Sequence, residues 1–249
     1  EVGWRKIELN KSIPEGTSDV IGIDARIRDF VQDQLRNTYE KFGYQPHYTP
    51  TIENAAVFNG HHGEGEKLLF HLKDKDGNPL VLRYDLTVPL ARVVNMYENI
   101  VKPYKRYQLA MSFRDDVVDK GHFREFMQCD GDIIGSSFLC SDAEIILIAY
   151  KGLLNLGFEN FIIRINHRKI IQGLAEIVGK DDKTEIQKVQ KALDFADKVY
   201  KKELEGIKNE LYKWDIDPGI ICLISRVLKK NSVNVEESLF KLEKLLKGS

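Results

Sequence analysis

Residues 104–135 read YKRYQLAMSFRDDVVDKGHFREFMQCDGDIIG, and this stretch decides the fold. Two runs of alternating character flank a polar segment rich in Asp and Gly, the pattern of two strands joined by a loop. The first run ends at Phe113-Arg114. The second opens at Arg124-Glu125-Phe126 and continues through Gln128, Asp130 and Asp132. Those last three alternate with Met127, Cys129 and Ile133, so their side chains share one face of a strand. Buried charge has to be paired, so this face is either solvated or the floor of a polar pocket, and such a floor would suit an amino group or an imidazole. Arg114 can grip a phosphate bidentately, or it can close a surface ion pair with Asp115, Asp116 or Glu125. Phe126 can stack on a purine or simply fill core. Arginines, phenylalanines and carboxylates around one turn suit a ligand that is anionic, planar and partly cationic at once.

Upstream, Ile13-Pro14-Glu15-Gly16-Thr17 is a turn-rich lead-in, and Ser18 or Asp19 is the expected cap of the helix that follows. Ile23, Ile27, Phe30, Val31, Leu35, Tyr39 and Phe42 recur at helical spacing until Gly43, which predicts an amphipathic helix over 23–42 with its apolar stripe inward. Residues 44–52, YQPHYTPTI, form a short β segment. Its two prolines cannot donate to a ladder, which places it at a sheet edge or junction. Residues 68–72 and 79–84 flank Asp76-Gly77 and predict a hairpin. Thr87 opens a helix with Pro89 in its first turn, and Asp85 or Thr87 can either cap that helix or face a ligand at the strand ends.

Beyond the opening stretch, Ser141-Asp142-Ala143-Glu144 has capping-box spacing and predicts a helix ending near Gly157. A strand over 161–165 and a helix over 168–178 follow. Residues 180–246 are rich in Lys, Glu, Asp and Leu with helical periodicity. The expected domain division is therefore 1–179, an α+β domain with an antiparallel sheet and helices against it, and 180–249, a small all-helical module.

The chain of 249 residues carries a formal net charge of -1. No global basic field announces nucleic acid, so RNA contact would need a local patch. The three cysteines show no metal spacing and their odd number does not suggest a disulfide framework. A reducing, cytoplasmic compartment is expected. No apolar run approaches the ~18 residues of a membrane helix. His61, His62, Glu64 and Glu66 sit among Gly60, Gly63 and Gly65. Adjacent histidines diverge and no second cluster completes a shell, so no protein metal site is expected there, and a loop closing over a ligand is a better reading than a metal centre. Neither a P-loop nor a Gly-x-Gly-x-x-Gly turn is present, and no Gly-x-Ser-x-Gly elbow. Phosphate chemistry without a covalent protein nucleophile fits better.

Phe113-Arg114-x-Asp116 followed by Phe123-Arg124-Glu125-Phe126-x-Gln128-x-Asp130-x-Asp132 resembles motif 2 of class II aminoacyl-tRNA synthetases, in the form of the histidyl-tRNA synthetase family. Leu82-Arg83-Tyr84-Asp85-Leu86-Thr87-Val88-Pro89 resembles the histidine-binding segment of its eukaryotic and archaeal-like branch. Pro14-Glu15-Gly16-Thr17-Ser18-Asp19 is similar to that family's start, and Phe42-Gly43-Tyr44 through Tyr48-Thr49-Pro50 to motif 1, the dimer-interface helix and strand. The resemblance implies a class II synthetase-like antiparallel sheet flanked by helices, with a helical insertion module. It implies activation of L-histidine by ATP, with Mg²⁺ bridging the phosphates, then transfer to tRNA(His) by a cytoplasmic homodimer. Arg114 would be the catalytic residue on the α-phosphate; Arg114, Asp116, His122, Arg124 and Phe126 would bind ATP, and Asp85, Thr87, Gln128 and Asp132 would bind histidine.

Two departures stand out: His122 occupies a position where the family has an arginine, and the loop lacks the usual proline after Asp116. Motif 3, the second catalytic arginine segment and an anticodon-binding domain are absent from these 249 residues, so the isolated chain is expected to aminoacylate little or not at all. The competing expectation is a catalytically silent, synthetase-like regulatory subunit of ATP phosphoribosyltransferase that senses histidine.

Overall fold

The structure, a computed structural model, describes residues 12–58, 68–119, 121–165, 167–179 and 183–198, together with 209, 211–213, 218, 219 and 221. The chain divides into two compact units, Glu1–Ile163 and Arg164–Ser249.

At the centre of the first unit are β5 (Tyr104–Phe113) and β6 (Glu125–Ile134), paired antiparallel from Tyr104 opposite Ile134 to Phe113 opposite Glu125. On the other side of β5 lies β1 (Gln45–Pro46), parallel to it and at the sheet edge. The edge position is what a residue without an N–H requires of Pro46. The expected β segment over 44–52 is thus divided. Its end feeds β2 (Ile52–Asn54), which with β4 (Pro79–Leu82) and β3 (His71–Lys73) makes a separate antiparallel sheet of order β2-β4-β3. The β3–β4 hairpin is closed by Asp74, whose carboxylate accepts from Asp76 N and from Asn78 N and Nδ2, with Gly77 at φ +86°.

Helices α1 (Gly22–Lys41) and α3 (Leu139–Asn155) cover one face of the central sheet. Beneath them Tyr44, Tyr107 and Ile148 are buried, with Tyr39, Phe42, Leu109, Ile133 and Ile145 packed around. A second core cluster, Ala55, Phe58, Leu69 and Val81, with Tyr84 and Val88 against it, sits under the second sheet and α2 (Thr87–Met96). Removing these apolar groups from water is the main term holding the unit together. The second unit contains α4 (Arg168–Gly179) and α5 (Lys183–Lys198), with Ala175, Val189 and Ala192 buried. Among the described residues no helix is long and apolar enough to cross a membrane.

Four local expectations are corrected. α1 starts at Gly22, at φ +61°, beyond Ser18 and Asp19, and Ile21 is the residue at its cap position, with no side-chain cap bond. The α1 stripe is not buried along its first half: Ile23, Ile27 and Phe30 are all more than half exposed, and the core is reached only near Leu35, Thr38 and Tyr39. The capping box does not form. α3 begins at Leu139 with Phe138 as cap; Ser141 Oγ pairs with Ser136 Oγ at 2.7 Å, and Glu144 reaches Lys105 at 2.7 Å. Residues 161–165 form no strand; Phe161 packs its ring on Tyr150, 5.5 Å between centroids.

Gly131 shows how tightly α1 sits on the sheet. Tyr39 stacks on Tyr107 with centroids 5.5 Å apart, and its ring lies across Gly131. A Cβ at Gly131 would fall inside the van der Waals envelope of Tyr39 Cε1 and 2.7 Å from Cζ. Gly131→Ala is therefore expected to destabilise the chain by about 2 kcal/mol through overpacking. Tyr39→Leu in the same chain should recover part of that loss in urea denaturation; an unchanged midpoint for Gly131→Ala would refute the close approach.

Candidate functional site

Across the β5–β6 ladder Arg106 faces Asp132, Gln108 faces Asp130, Ala110 faces Gln128 and Ser112 faces Phe126. Residues directly opposite point to the same side of a sheet, so these eight share the face turned away from α1 and α3. Arg114 and Arg124 continue it past the ladder end, where Arg114 N donates to Arg124 O at 2.9 Å. On the β5 half of this floor Arg106, Gln108 and Ser112 are buried and Ala110 is half-buried, while Phe126, Gln128, Asp130 and Asp132 remain half-buried on the β6 side.

The cover comes from Thr49 and the chain between β4 and α2. Gln108 Nε2 donates to Thr49 Oγ1 at 3.1 Å. Arg83, 4% exposed, donates from Nε to Met111 O at 2.9 Å and from Nη1 to Thr49 O at 2.7 Å and Pro50 O at 3.3 Å. Its backbone adds Phe113 N to Arg83 O at 3.0 Å. This single arginine ties the second sheet to the first, and it brings Tyr84 and Asp85 to the rim of the floor.

Arg114 is half-buried. Its Nε donates to Tyr84 O at 3.2 Å and its guanidinium carbon lies 4.9 Å from the centre of the Phe126 ring, a cation–π contact. Gln128 Oε1 accepts from Ser112 Oγ at 2.6 Å. Asp132 Oδ2 lies 2.5 Å from Arg106 Nη2. Asp85 Oδ1 accepts from Val88 N at 3.1 Å and so caps α2, while Thr87, the first residue of that helix, is exposed. Burial pushes the carboxyls of Asp85 and Asp130 above the usual range; hydrogen bonding from Val88 partly opposes this at Asp85, and Arg106 does so at Asp130. A cation arriving beside either carboxyl would favour its charged form.

Two expected members of the ATP set are not on the floor. Asp116 is exposed and accepts from Val117 N at 2.8 Å. His122 is exposed within the loop, its Nδ1 2.6 Å from Asp119 Oδ1, in a two-residue bridge. Arg124 leans back along the loop, with Nε 3.3 Å from Asp116 O and 3.6 Å from Asp115 Oδ1. The lead-in turn closes over the start of β6: Gly16 O accepts from Arg124 N at 2.8 Å and Glu125 N at 3.2 Å, at φ +78°, and a Cβ there would strike Val118 and Arg124. His61, His62, Glu64 and Glu66 lie outside the described residues. A cavity of about 500 Å³ lined by His47, Glu53, Arg92 and Tyr97 lies elsewhere. Its Glu53 is already paired with Arg92 at 2.8 Å, and His47 Nδ1 lies 2.9 Å from Tyr104 Oη.

Sequence reasoning missed Arg83, Arg106, Gln108 and Ser112. The signal was there for three of them: Arg106, Gln108 and Ser112 recur with the same period of two that singled out Gln128, Asp130 and Asp132 on the opposing strand. As built, the floor offers an arginine and an aromatic face at one end and a glutamine with carboxylates at the other.

A sequence profile described as histidyl-tRNA synthetase matches residues 16–219. The histidine–tRNA ligase of Christiangramia forsetii is 35% identical, with 96% of this chain and 56% of that protein covered. The histidine–tRNA ligase of Helicobacter hepaticus is 38% identical over 80% of this chain and 45% of its own length. The mitochondrial histidine–tRNA ligase of Saccharomyces cerevisiae is 37% identical over 83% of this chain and 37% of its own length. The chain thus spans about half the length, or less, of these curated relatives. Among solved structures, histidyl-tRNA synthetase from Nostoc sp. PCC 7120 superposes with a TM-score of 0.81 at 28% identity, covering 97% of this chain and 53% of that one. An ATP phosphoribosyltransferase regulatory subunit/histidyl-tRNA synthetase from Bacillus halodurans C gives 0.70 at 21% identity, covering 99% of this chain and 66% of that one, a likeness of fold.

Proposed function

We propose, from the premise that this chain belongs to the histidyl-tRNA synthetase family, that the polar face of the β5–β6 ladder is the histidine- and ATP-binding floor of a histidine–tRNA ligase. The observation that carries the proposal is the division of labour along that face. Arg114 over Phe126 stands at one end; Gln128 and Asp132 continue from it toward the other, with Asp85 at the rim.

In the reaction the carboxylate of L-histidine attacks the α-phosphorus of ATP, the bond to the β-phosphate oxygen breaks, and pyrophosphate leaves. Arg114 meets the charge that develops on the α-phosphate, with donors to spare beyond its one bond to Tyr84. Phe126 supplies a face for adenine. Asp85, Thr87 and Gln128 hold the α-amino group, and Asp132 the imidazole. Asp116, His122 and Arg124 serve ATP only after the loop between β5 and β6 has rearranged, since in this structure they are occupied with one another and with Asp115 and Asp119. No protein nucleophile takes part. Mg²⁺ enters with ATP as part of the substrate, and tRNA(His) takes the activated histidyl group in a second step.

Homodimerisation through the segment following α1 fits the exposed Tyr48 and the exposed stripe Ile23, Ile27 and Phe30, in a cytoplasmic protein. Pyrophosphate exchange into ATP by the complete gene product tests the proposal. Exchange that depends on histidine is expected. Histidine binding that shows no ATP dependence, with no exchange, would instead favour the silent regulatory role.

A further inference from the structure

Arg106 is 0% exposed, in the middle of a strand, on the face proposed to receive the amino acid. A guanidinium carries five N–H donors, yet among the described residues Nε and Nη1 of Arg106 are buried without a hydrogen-bond partner, and Nη2 reaches Asp132 and, at 3.5 Å, Leu86 O. Burying a charge this incompletely bonded is costly, and an apolar residue of the same volume would hold the fold as well or better. Stability therefore does not explain the residue. Its one close partner does.

Asp132 sits directly opposite Arg106 on β6, and its Oδ2 is buried against Nη2. The contact is an ion pair by distance rather than an aligned hydrogen bond, because Oδ2 lacks hydrogen-bond geometry with any described donor. The Asp132 side chain as a whole is still 33% exposed. With Oδ2 sealed, that exposure falls on Oδ1 and the carbons, so one oxygen is anchored and the other looks out over the floor. Asp130, on the same strand face, adds negative charge beside the pair.

We propose that Arg106 is a positioning residue for the amino-acid end of the site: it fixes the Asp132 carboxylate in one orientation and presents Oδ1 to an imidazole N–H of bound histidine. Arg106 itself touches no substrate. The inference rests on the histidine pocket proposed above. It predicts that Arg106 acts on recognition of the imidazole and on nothing at the ATP end.

The test is histidine-dependent pyrophosphate exchange by the complete gene product, with histidine and with 2-thienylalanine, an isostere that lacks the imidazole N–H. Arg106→Met should raise KM for histidine by about 10- to 100-fold, since an ångström of misplacement is enough for that, leave KM for ATP within about two-fold, and erode the preference for histidine over thienylalanine by about ten-fold. Arg106→Lys, which keeps the charge, should restore most of the preference. Where Arg106→Met does not fold, Arg106→Met with Asp132→Asn removes both charges together and should match Asp132→Asn alone in its preference. An added loss in the double variant would overturn the inference. So would equal rises in both KM values, or an unchanged preference. Wild-type protein with no histidine-dependent exchange would sink the underlying proposal instead, and so separates the two failures.

Discussion

Arg114→Ala is expected to lower histidine-dependent pyrophosphate exchange by about a thousand-fold, the scale on which removal of a transition-state charge contact acts. The fold should survive it. Among the described residues the Arg114 side chain makes one hydrogen bond, to Tyr84 O, and one cation–π contact with Phe126, together worth about 1–2 kcal/mol. Lost activity and lost stability are thus separable in one variant, by exchange assay and urea denaturation side by side. Arg114→Lys keeps the charge but not the planar fork, and should fall between wild type and alanine. Exchange that persists undiminished in Arg114→Ala would remove the residue from the chemistry and return it to an ion pair at a strand end.

The second large effect is structural. Arg83→Met is expected to destabilise the chain by about 3 kcal/mol, the range for breaking a buried charged hydrogen-bond cluster. Its Nε and Nη1 satisfy the carbonyls of Met111, Thr49 and Pro50 at once, from a position 4% exposed, and among the described residues no carboxylate pairs with it at contact distance. Methionine fills the space but leaves those carbonyls unpaired. Because the same residue opens the segment that carries Tyr84 and Asp85, the variant should also loosen Arg114, whose Nε donates to Tyr84 O. The denaturation midpoint measures the first effect; a midpoint shift below about 0.5 kcal/mol would fall in the range of an ordinary surface change and refute the clamp.

Much of this fold was legible because its signals are local. The alternation in residues 104–135 marked β5 and β6, Asp76-Gly77 marked the hairpin, and Thr87 with Pro89 marked α2. The β6 half of the floor was only half legible: three polar residues at a period of two do not belong in an ordinary core, but a solvated sheet face carries the same pattern. What failed depended on distant parts of the chain. Whether an arginine in or beside a strand is buried is settled by what lies over it. Arg83 reaches Thr49 and Pro50, and Arg106 reaches Leu86, partners remote from each in sequence. The α1 stripe has helical spacing, but spacing says nothing about whether a neighbour arrives to cover it, and along Ile23, Ile27 and Phe30 none does among the described residues. The roles of Asp116 and His122 came from resemblance alone; in the structure His122 has found Asp119 and Asp116 faces solvent.

The ladder between β5 and β6 separates two chemistries by a single step along the chain: Tyr107 and Leu109 toward the helices, Arg106 and Gln108 toward the floor. A residue inserted into or deleted from either strand would exchange these sets over everything beyond it. It would drive a guanidinium under Tyr39 and offer a tyrosine to the ligand. The connection from Asp115 to Phe123 lies outside the ladder, and a change of length there leaves both faces in phase. Length variation should therefore be tolerated in that connection and rejected in the strands. In a library of single-codon insertions across residues 104–134, surviving folded chains should cluster between 115 and 123.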